Sequence, residues 1–197
     1  SSLNPNDISP FMQRMFAEKN NIMNHLHISL QSGSDKVLKI HKRGYNSSHF
    51  LKAVENMKIL DPYLRVGADL IVGLPGEEKK DFQRTIEVVK EIELDYGHVF
   101  RFSKRDGTEA ANMKKVNGNV SKERSKILRN TLENLKEKSL ERSFNRYHRV
   151  LLEERRDRFG NHYGFTENYI ECGLKEKNIN SIIKFKPKRI EKGRYYG

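Results

Sequence analysis

Residues 25–103 alternate between two periodicities, and that alternation confines the chain to few folds. In His25-Leu26-His27-Ile28-Ser29-Leu30-Gln31 every second residue is apolar, the period of a strand with two unlike faces. Arg65 to Gly73 reads as a second strand and His98 to Ser103 as a third. Between them lie two helical patterns. One runs from about Ser47 to Leu60, with Phe50, Leu51, Val54, Met57 and Leu60 on one face. The other runs from about Glu78 to Glu93, with Phe82, Ile86, Val89 and Ile92. The order strand, helix, strand, helix, strand implies parallel strands joined by right-handed crossovers.

In such folds ligands sit at the carboxyl ends of the strands. Three polar elbows fall at that end: Gln31-Ser32-Gly33, Gly73-Leu74-Pro75-Gly76 and Ser103 to Thr108. Ser34 and Asp35 are both candidate N-caps for the helix after the first elbow. The first strand's other face is His, His, Ser and Gln, which suits a strand lining a cavity, although a face turned to water has the same pattern. His25 and His27 are two apart and share that face, but no third metal ligand stands in view. Phosphate-loop, HExxH and GxGxxG patterns are absent.

A change of character falls near residue 140. Ser121 to about Tyr147 reads as one long helix, with Ser121 as its N-cap and Asn117-Gly118-Asn119 as a turn before it. Short strand patterns follow at Arg149–Glu153, Asn168–Cys172 and Ser181–Lys186, with Phe159–Gly164 as a hairpin connection. Short strands with glycine turns suggest a small barrel.

The net charge of +12 is concentrated there. Residues 141–197 carry 14 Lys and Arg against 8 Asp and Glu, so 57 residues hold half the excess. A basic domain attracts nucleic-acid backbones through phosphate neutralisation, although a merely soluble basic surface has the same charge. The 197 residues fit one medium domain or two small ones, with 36% hydrophobic residues to build a core. No apolar run approaches the roughly 20 residues a membrane helix needs. One cysteine, Cys172, argues against a disulfide scaffold and for the cytoplasm.

Four segments carry a family resemblance: His25 to Asp35, Arg43-Gly44-Tyr45, Asp69 to Glu77, and Ser103-Lys104-Arg105-Asp106-Gly107-Thr108. Together they resemble the radical-SAM methylthiotransferases. The form HLHISLQSGSD and the segment Gly164-Phe165-Thr166-Glu167-Asn168-Tyr169 resemble the subgroup acting on threonylcarbamoyladenosine in tRNA. The resemblance implies an α/β fold: the C-terminal half of a partial (β/α)6 radical-SAM barrel over 1–140, then a small all-β TRAM (OB-like) RNA-binding barrel over 141–197. It also implies transfer of a methylthio group to C2 of the modified adenosine, with S-adenosylmethionine (SAM) and two [4Fe-4S] clusters in the full-length enzyme. Isopentenyladenosine in tRNA or a ribosomal protein remains an alternative substrate, and a non-catalytic RNA-binding protein an alternative class.

Each cluster needs three cysteines, and this chain has one. The chain also opens at Ser1-Ser2-Leu3-Asn4-Pro5, which resembles the family's third barrel strand. The expectation is therefore a C-terminal piece of a longer enzyme that carries neither bound SAM nor a cluster and is inactive alone. Its first full strand would show an unpaired edge and self-associate through it. On the resemblance, Ser29, Gln31, Ser32, Arg43, Asp69, Gly73, Phe100 and Phe102 would hold SAM, with no residue of this chain directly catalytic. Arg155, Arg156, Arg158, His162, Tyr163, Asn168, Tyr169, Lys184, Lys186, Lys188 and Arg189 would bind tRNA. The chain departs from the family's pattern at His41, where Met is usual, at Arg101-Phe102, where Pro-Tyr is common, and at Glu109, where Pro is common.

Overall fold

The computed structural model describes residues 2–18, 22–176 and 178–197. Strands β1 (His25–Gln31), β2 (Arg65–Val72) and β3 (Tyr96–Arg101) form a parallel sheet in the order β1-β2-β3. Helix α1 (Pro10–Ala17) precedes β1, α2 (Asp35–Ile40) and α3 (Ser47–Leu60) link β1 to β2, and α4 (Lys79–Glu91) links β2 to β3. Helix α5 (Gly118–Phe144) follows. The apolar side of β1, Leu26, Ile28 and Leu30, is buried in one cluster with Phe50, Val54 and Met57 of α3, Phe82, Ile86 and Val89 of α4, and Leu128 and Leu132 of α5. Each such side chain contributes roughly 1.5–3 kcal/mol by leaving water.

Local chemistry sets the helix starts. Ser34 rather than Asp35 caps α2: its hydroxyl accepts from the Val37 amide and donates to Asp81 at 2.7 Å. Asp35 instead accepts from the Ser47 amide at 2.7 Å, tying the start of α2 to the start of α3. The long helix differs from its expected form. It starts at Gly118 because Asn117 caps it, accepting from the Asn119 amide at 2.8 Å. Asn117-Gly118-Asn119 is thus the helix start, and Ser121 lies buried inside the first turn. β3 begins at Tyr96 and stops at Arg101, two residues earlier at each end than its pattern suggested.

A second sheet follows, in the order β7-β4-β5-β6-β9-β8. Its strands are β4 (His148–Arg156), β5 (His162–Thr166), β6 (Glu171–Leu174), β7 (Ile182–Phe185), β8 (Arg189–Glu191) and β9 (Arg194–Tyr196). All pairings are antiparallel except β6 with β9. Its core joins Val150, Leu152, Ile170, Cys172, Phe185 and Tyr195 to Leu140 of α5. His162, Tyr163 and Gly164, read as a connection, are part of β5, and Asn168 to Ile170, read as strand, precede β6. β8 and β9 were not foreseen.

The expected bare edge of β1 is partly covered. Leu3 forms a parallel bridge to Ile28, donating its amide to His27 O and accepting from Ser29 N, both at 2.8 Å. No helix among the described residues is long and apolar enough to cross a membrane.

Candidate cofactor rim and nucleic-acid interface

A cavity of about 570 Å³ opens at the carboxyl ends of the three parallel strands. Gln31, Arg43, Asp69, Phe100 and Phe102, five of the eight expected cofactor residues, line it. Gln31 reaches it through a distortion. The β1–β2 register slips between Ser29 and Gln31, and Gln31 has φ 65°, a costly setting for a residue with a Cβ. Arg43 follows a turn closed by its own amide to Leu38 O at 2.9 Å. Nearby, Tyr45 ties the segment to the sheet through its hydroxyl, 2.5 Å from Ser29 O. The floor is apolar, with Val37, Leu38, Ile71 and Leu74. His41, Arg101 and Arg105 also line it; the sequence marks His41 and Arg101 as departures from the family pattern and Arg105 as part of a family segment, but none of the three is among the expected cofactor residues. Three arginines beside a glutamine and two phenylalanines suit a ligand with a carboxylate or phosphate and a flat ring.

The other three expected residues do not line the cavity. Ser32 is buried and structural: its hydroxyl lies 3.4 Å from Thr85 Oγ1 and accepts from the Ser34 amide at 3.2 Å. Ser29 lies below the rim, where its backbone is engaged by Leu3 and Tyr45. Gly73 was expected to approach SAM. Instead its N–H donates to the Glu77 carboxylate at 3.2 Å, and its α-carbon faces α5. A Cβ there would stand 2.2 Å from Ser121 Oγ and 2.9 Å from Ser121 Cβ, at φ +74°. Gly73→Ala is therefore expected to cost about 2–3 kcal/mol of stability, by strain and overlap together. Urea unfolding checks this, and a fully stable variant with weakened ligand binding would restore the cofactor reading.

Below the rim the same face of the sheet is crowded with rings. Tyr96 has room to lie across it because Gly67, its partner on β2, has no side chain: a Cβ there would meet the ring at 2.1 Å. Its hydroxyl contacts His25 Nε2 and lies 3.0 Å from His27 Nδ1. His27 Nε2 is 3.0 Å from Asp69 Oδ1. The two histidines read as lacking a third ligand thus split: Asp69 and His98 stand beside His27, and His25 turns to Tyr96 and Tyr169. Burial pushes the Asp69 carboxyl up, but hydrogen bonds from His27 and Ser2 outweigh it and hold the group below its ordinary range.

The basic sheet presents rings under cations. Lys184 lies 4.5 Å and Lys186 6.0 Å above the exposed Tyr147 ring. Arg155 and Arg194 flank Tyr163 at 4.4 and 5.1 Å, Arg158 covers Phe159 at 4.7 Å, and Arg189 covers Tyr196 at 4.9 Å. Arg156 and Lys188 are exposed. Two of the expected contact residues are not available. His162 is buried with Nδ1 3.1 Å from Glu153 O, and Asn168 is buried between Thr166 and Ser143. Tyr169 is half exposed but serves the junction between the sheets. At φ 62° its ring stacks on His25 at 4.6 Å and on Phe165 at 4.8 Å, and its carbonyl accepts from the buried Arg65 at 2.6 Å. Tyr147, like Tyr163 an aromatic interleaved with the basic residues, lies just past the end of α5.

Residues 2–89 match the Radical SAM superfamily. Over 156 residues the chain is 40% identical to threonylcarbamoyladenosine tRNA methylthiotransferase MtaB of Thermotoga maritima, covering 79% of this chain and 35% of that protein. Over 194 residues it is 36% identical to the protein of the same name from Rickettsia prowazekii, covering 98% of this chain and 45% of that one. The chain belongs to the radical-SAM methylthiotransferases. A third relative of this methylthiotransferase chain, the tRNA-2-methylthio-N(6)-dimethylallyladenosine synthase of Helicobacter pylori, is 36% identical over 191 residues, covering 93% of this chain and 44% of that protein. The chain thus spans less than half the length of these relatives.

Two solved structures share its fold. Coproporphyrinogen III oxidase (HemN) from Escherichia coli, described as a radical-SAM enzyme, is 18% identical with a TM-score of 0.50 over 74% of this chain and 32% of that one. Elp3 from Methanocaldococcus infernus is 13% identical with a TM-score of 0.52 over 96% of this chain and 62% of that one. The residues of this methylthiotransferase chain do not fit an iron–sulfur cluster. Cys172, its single cysteine, is buried between β-strands, its thiol donates to Gly164 O at 3.4 Å, and burial pushes that thiol up to about 12.

Proposed function

We propose that this chain supplies the SAM-binding rim and the RNA-binding barrel of a tRNA methylthiotransferase that acts on threonylcarbamoyladenosine. In this reading residues 1–140 are part of a radical-SAM barrel and residues 141–197 a TRAM domain. The parent enzyme works in the cytoplasm, where its tRNA is. The observation that carries the reading is the rim cavity. It gathers Gln31, Arg43, Asp69, Phe100 and Phe102, drawn from all three parallel strands and the loops that follow them, in a space of about 570 Å³. That donor set fits SAM. Arg43 would hold its carboxylate, Gln31 and Asp69 its hydroxyl and amino groups, and Phe100 or Phe102 would pack on its adenine. SAM supplies the radical precursor in such enzymes. The residues here bind it, orient it and keep water from its apolar side. The cluster that would cleave it has no ligands in this chain.

The relatives favour tRNA as substrate, and the exposed Lys184, Lys186, Lys188 and Tyr147 suit phosphate contact with stacking on an unpaired base. Charge reversal of Lys184, Lys186 and Lys188 together is expected to weaken tRNA binding at least tenfold and to flatten its salt dependence. Reversal of Lys39, Lys52 and Lys90, exposed on the outer helices, is the comparison. Fluorescence anisotropy across a salt series measures both, and equal losses from the two sets would reject a barrel-centred footprint. Isothermal titration with SAM tests the rim: Arg43→Ala is expected to bind at least tenfold more weakly than the parent chain, and unchanged affinity would reject the assignment. For the whole enzyme, mass spectrometry of tRNA nucleosides from a strain lacking the full-length gene is expected to show loss of the methylthio derivative of threonylcarbamoyladenosine. Loss of the dimethylallyladenosine derivative instead would move the substrate to that of the third relative.

A further inference from the structure

On the ring-lined face below the rim, three ligating side chains from three different strands converge. In the register of the sheet Asp69 stands beside His98 on one side and Ser29 on the other, and His27 is two residues before Ser29 on the same face. His27, Asp69 and His98 each offer one ligand atom, and these atoms lie within 4.8 Å of one another. The His27 and His98 ring centroids are 5.2 Å apart. The cluster faces an open cavity of about 650 Å³, also lined by Ser2, His25, Tyr96 and Tyr169.

The surroundings of the cluster resemble those of a prepared ligand set. His27 Nδ1 is held by the Tyr96 hydroxyl, and Asp69 Oδ2 by the Ser2 hydroxyl at 2.8 Å. Outer partners of this kind fix the orientation of a ligating imidazole and carboxylate. They leave His27 Nε2 and Asp69 Oδ1 facing each other at 3.0 Å. A metal ion at this position would replace that direct contact with two ligand bonds. His98, exposed and ringed by His27, Tyr96 and Phe100, adds a third donor on the open side.

We propose that His27, Asp69 and His98 bind a divalent first-row transition metal, of which zinc is the simplest case. Two imidazoles and one carboxylate select such ions over magnesium or calcium, which prefer oxygen donors alone. Three protein ligands leave at least one coordination position open toward the cavity. The site shares Asp69 with the proposed SAM rim and does not rest on the proposed tRNA substrate.

Cobalt(II) titration of the untagged chain, first stripped of metal with a chelator, tests this. One equivalent is expected to bind and give visible d–d absorption, and zinc is expected to displace it. His98→Ala and Asp69→Asn are each expected to weaken binding at least tenfold, while His49→Ala on the outside of α3 leaves it unchanged. His98 is exposed, so its variant keeps the fold, which far-UV circular dichroism checks. If Asp69→Asn unfolds, His98→Ala decides alone. Cobalt binding that is no tighter in the parent chain than in His98→Ala would overturn the site.

Discussion

Replacing Asp95 by alanine is expected to remove about 3–5 kcal/mol of folding stability, the cost of deleting one partner of a buried ionic network. Asp95 is fully buried at the entrance to β3. Its carboxylate accepts from the Val66 amide at 2.7 Å, from the Ser139 hydroxyl at 2.6 Å and from the Arg142 guanidinium. Lys58 Nζ stands 3.9 Å away. One side chain thus joins β2 to the last turns of α5, and through α5 to the second sheet. Alanine would leave a buried amide, a buried hydroxyl and a guanidinium without their acceptor, and each unmet donor costs about 1–3 kcal/mol. Asp95→Asn keeps one acceptor and is expected to lose less. Urea unfolding of the two variants measures both, and an alanine variant within about 1 kcal/mol of the parent would show that the network is not a structural hub.

Glu167→Gln is expected to destabilise the second sheet by about 2 kcal/mol near neutral pH, with the deficit vanishing in acid. Glu167 is buried in the turn after β5. Its carboxylate accepts from the Arg149 amide at 2.7 Å and pairs with Arg146 at 3.1 Å, and His148 Nδ1 lies 3.3 Å away. Burial pushes the carboxyl up, but its contacts with His148 and with backbone amides outweigh that and hold it below the ordinary glutamate value of 4.5. A carboxyl whose folded pKa is depressed contributes stability that is fully present above the unfolded pKa and lost as pH falls through the folded one. The parent's advantage over the glutamine variant should therefore hold down to about pH 5 and then decline. Thermal melts from neutral pH to acid measure it, and a difference that stays constant through the acid range would mean that the charge on Glu167 contributes nothing.

What the sequence disclosed depended on how local each cause was. The faces of β1 were plain because Leu26, Ile28 and Leu30 alternate without a break. β3 was read two residues late, since Tyr96-Gly97 carries no apolar alternation and owes its place to pairing with Gly67 and Ala68. Asn117 was passed over as a cap because Asn-Gly-Asn is also a turn signature, and only the Asn119 hydrogen bond distinguishes the two. β8 and β9 are three residues each, too short for a period. Their one local mark is the hairpin turn Lys192-Gly193, with φ 50° and 73°. Gly73 was conspicuous in the sequence, but what it faces is Ser121, 48 positions away. His98 could be paired with His27 and Asp69 only once the order and register of the strands were known.

Tyr169 sets a length. Its ring stacks on His25 and Phe165 and its carbonyl accepts from Arg65, so one residue ties the first sheet to the second. If that tie holds in solution, it sets the span from the lysine-capped Tyr147 to the rim at Phe100, as the gap between the jaws of a caliper is set. A nucleic acid gripped on the basic sheet would be presented to the rim at a measured offset along its own backbone. Which nucleotide arrives there would follow from distance along the strand as well as from base identity. Lengthening the segment around Tyr169 by one residue would shift that choice by altering the gauge, with the grip and the rim both intact.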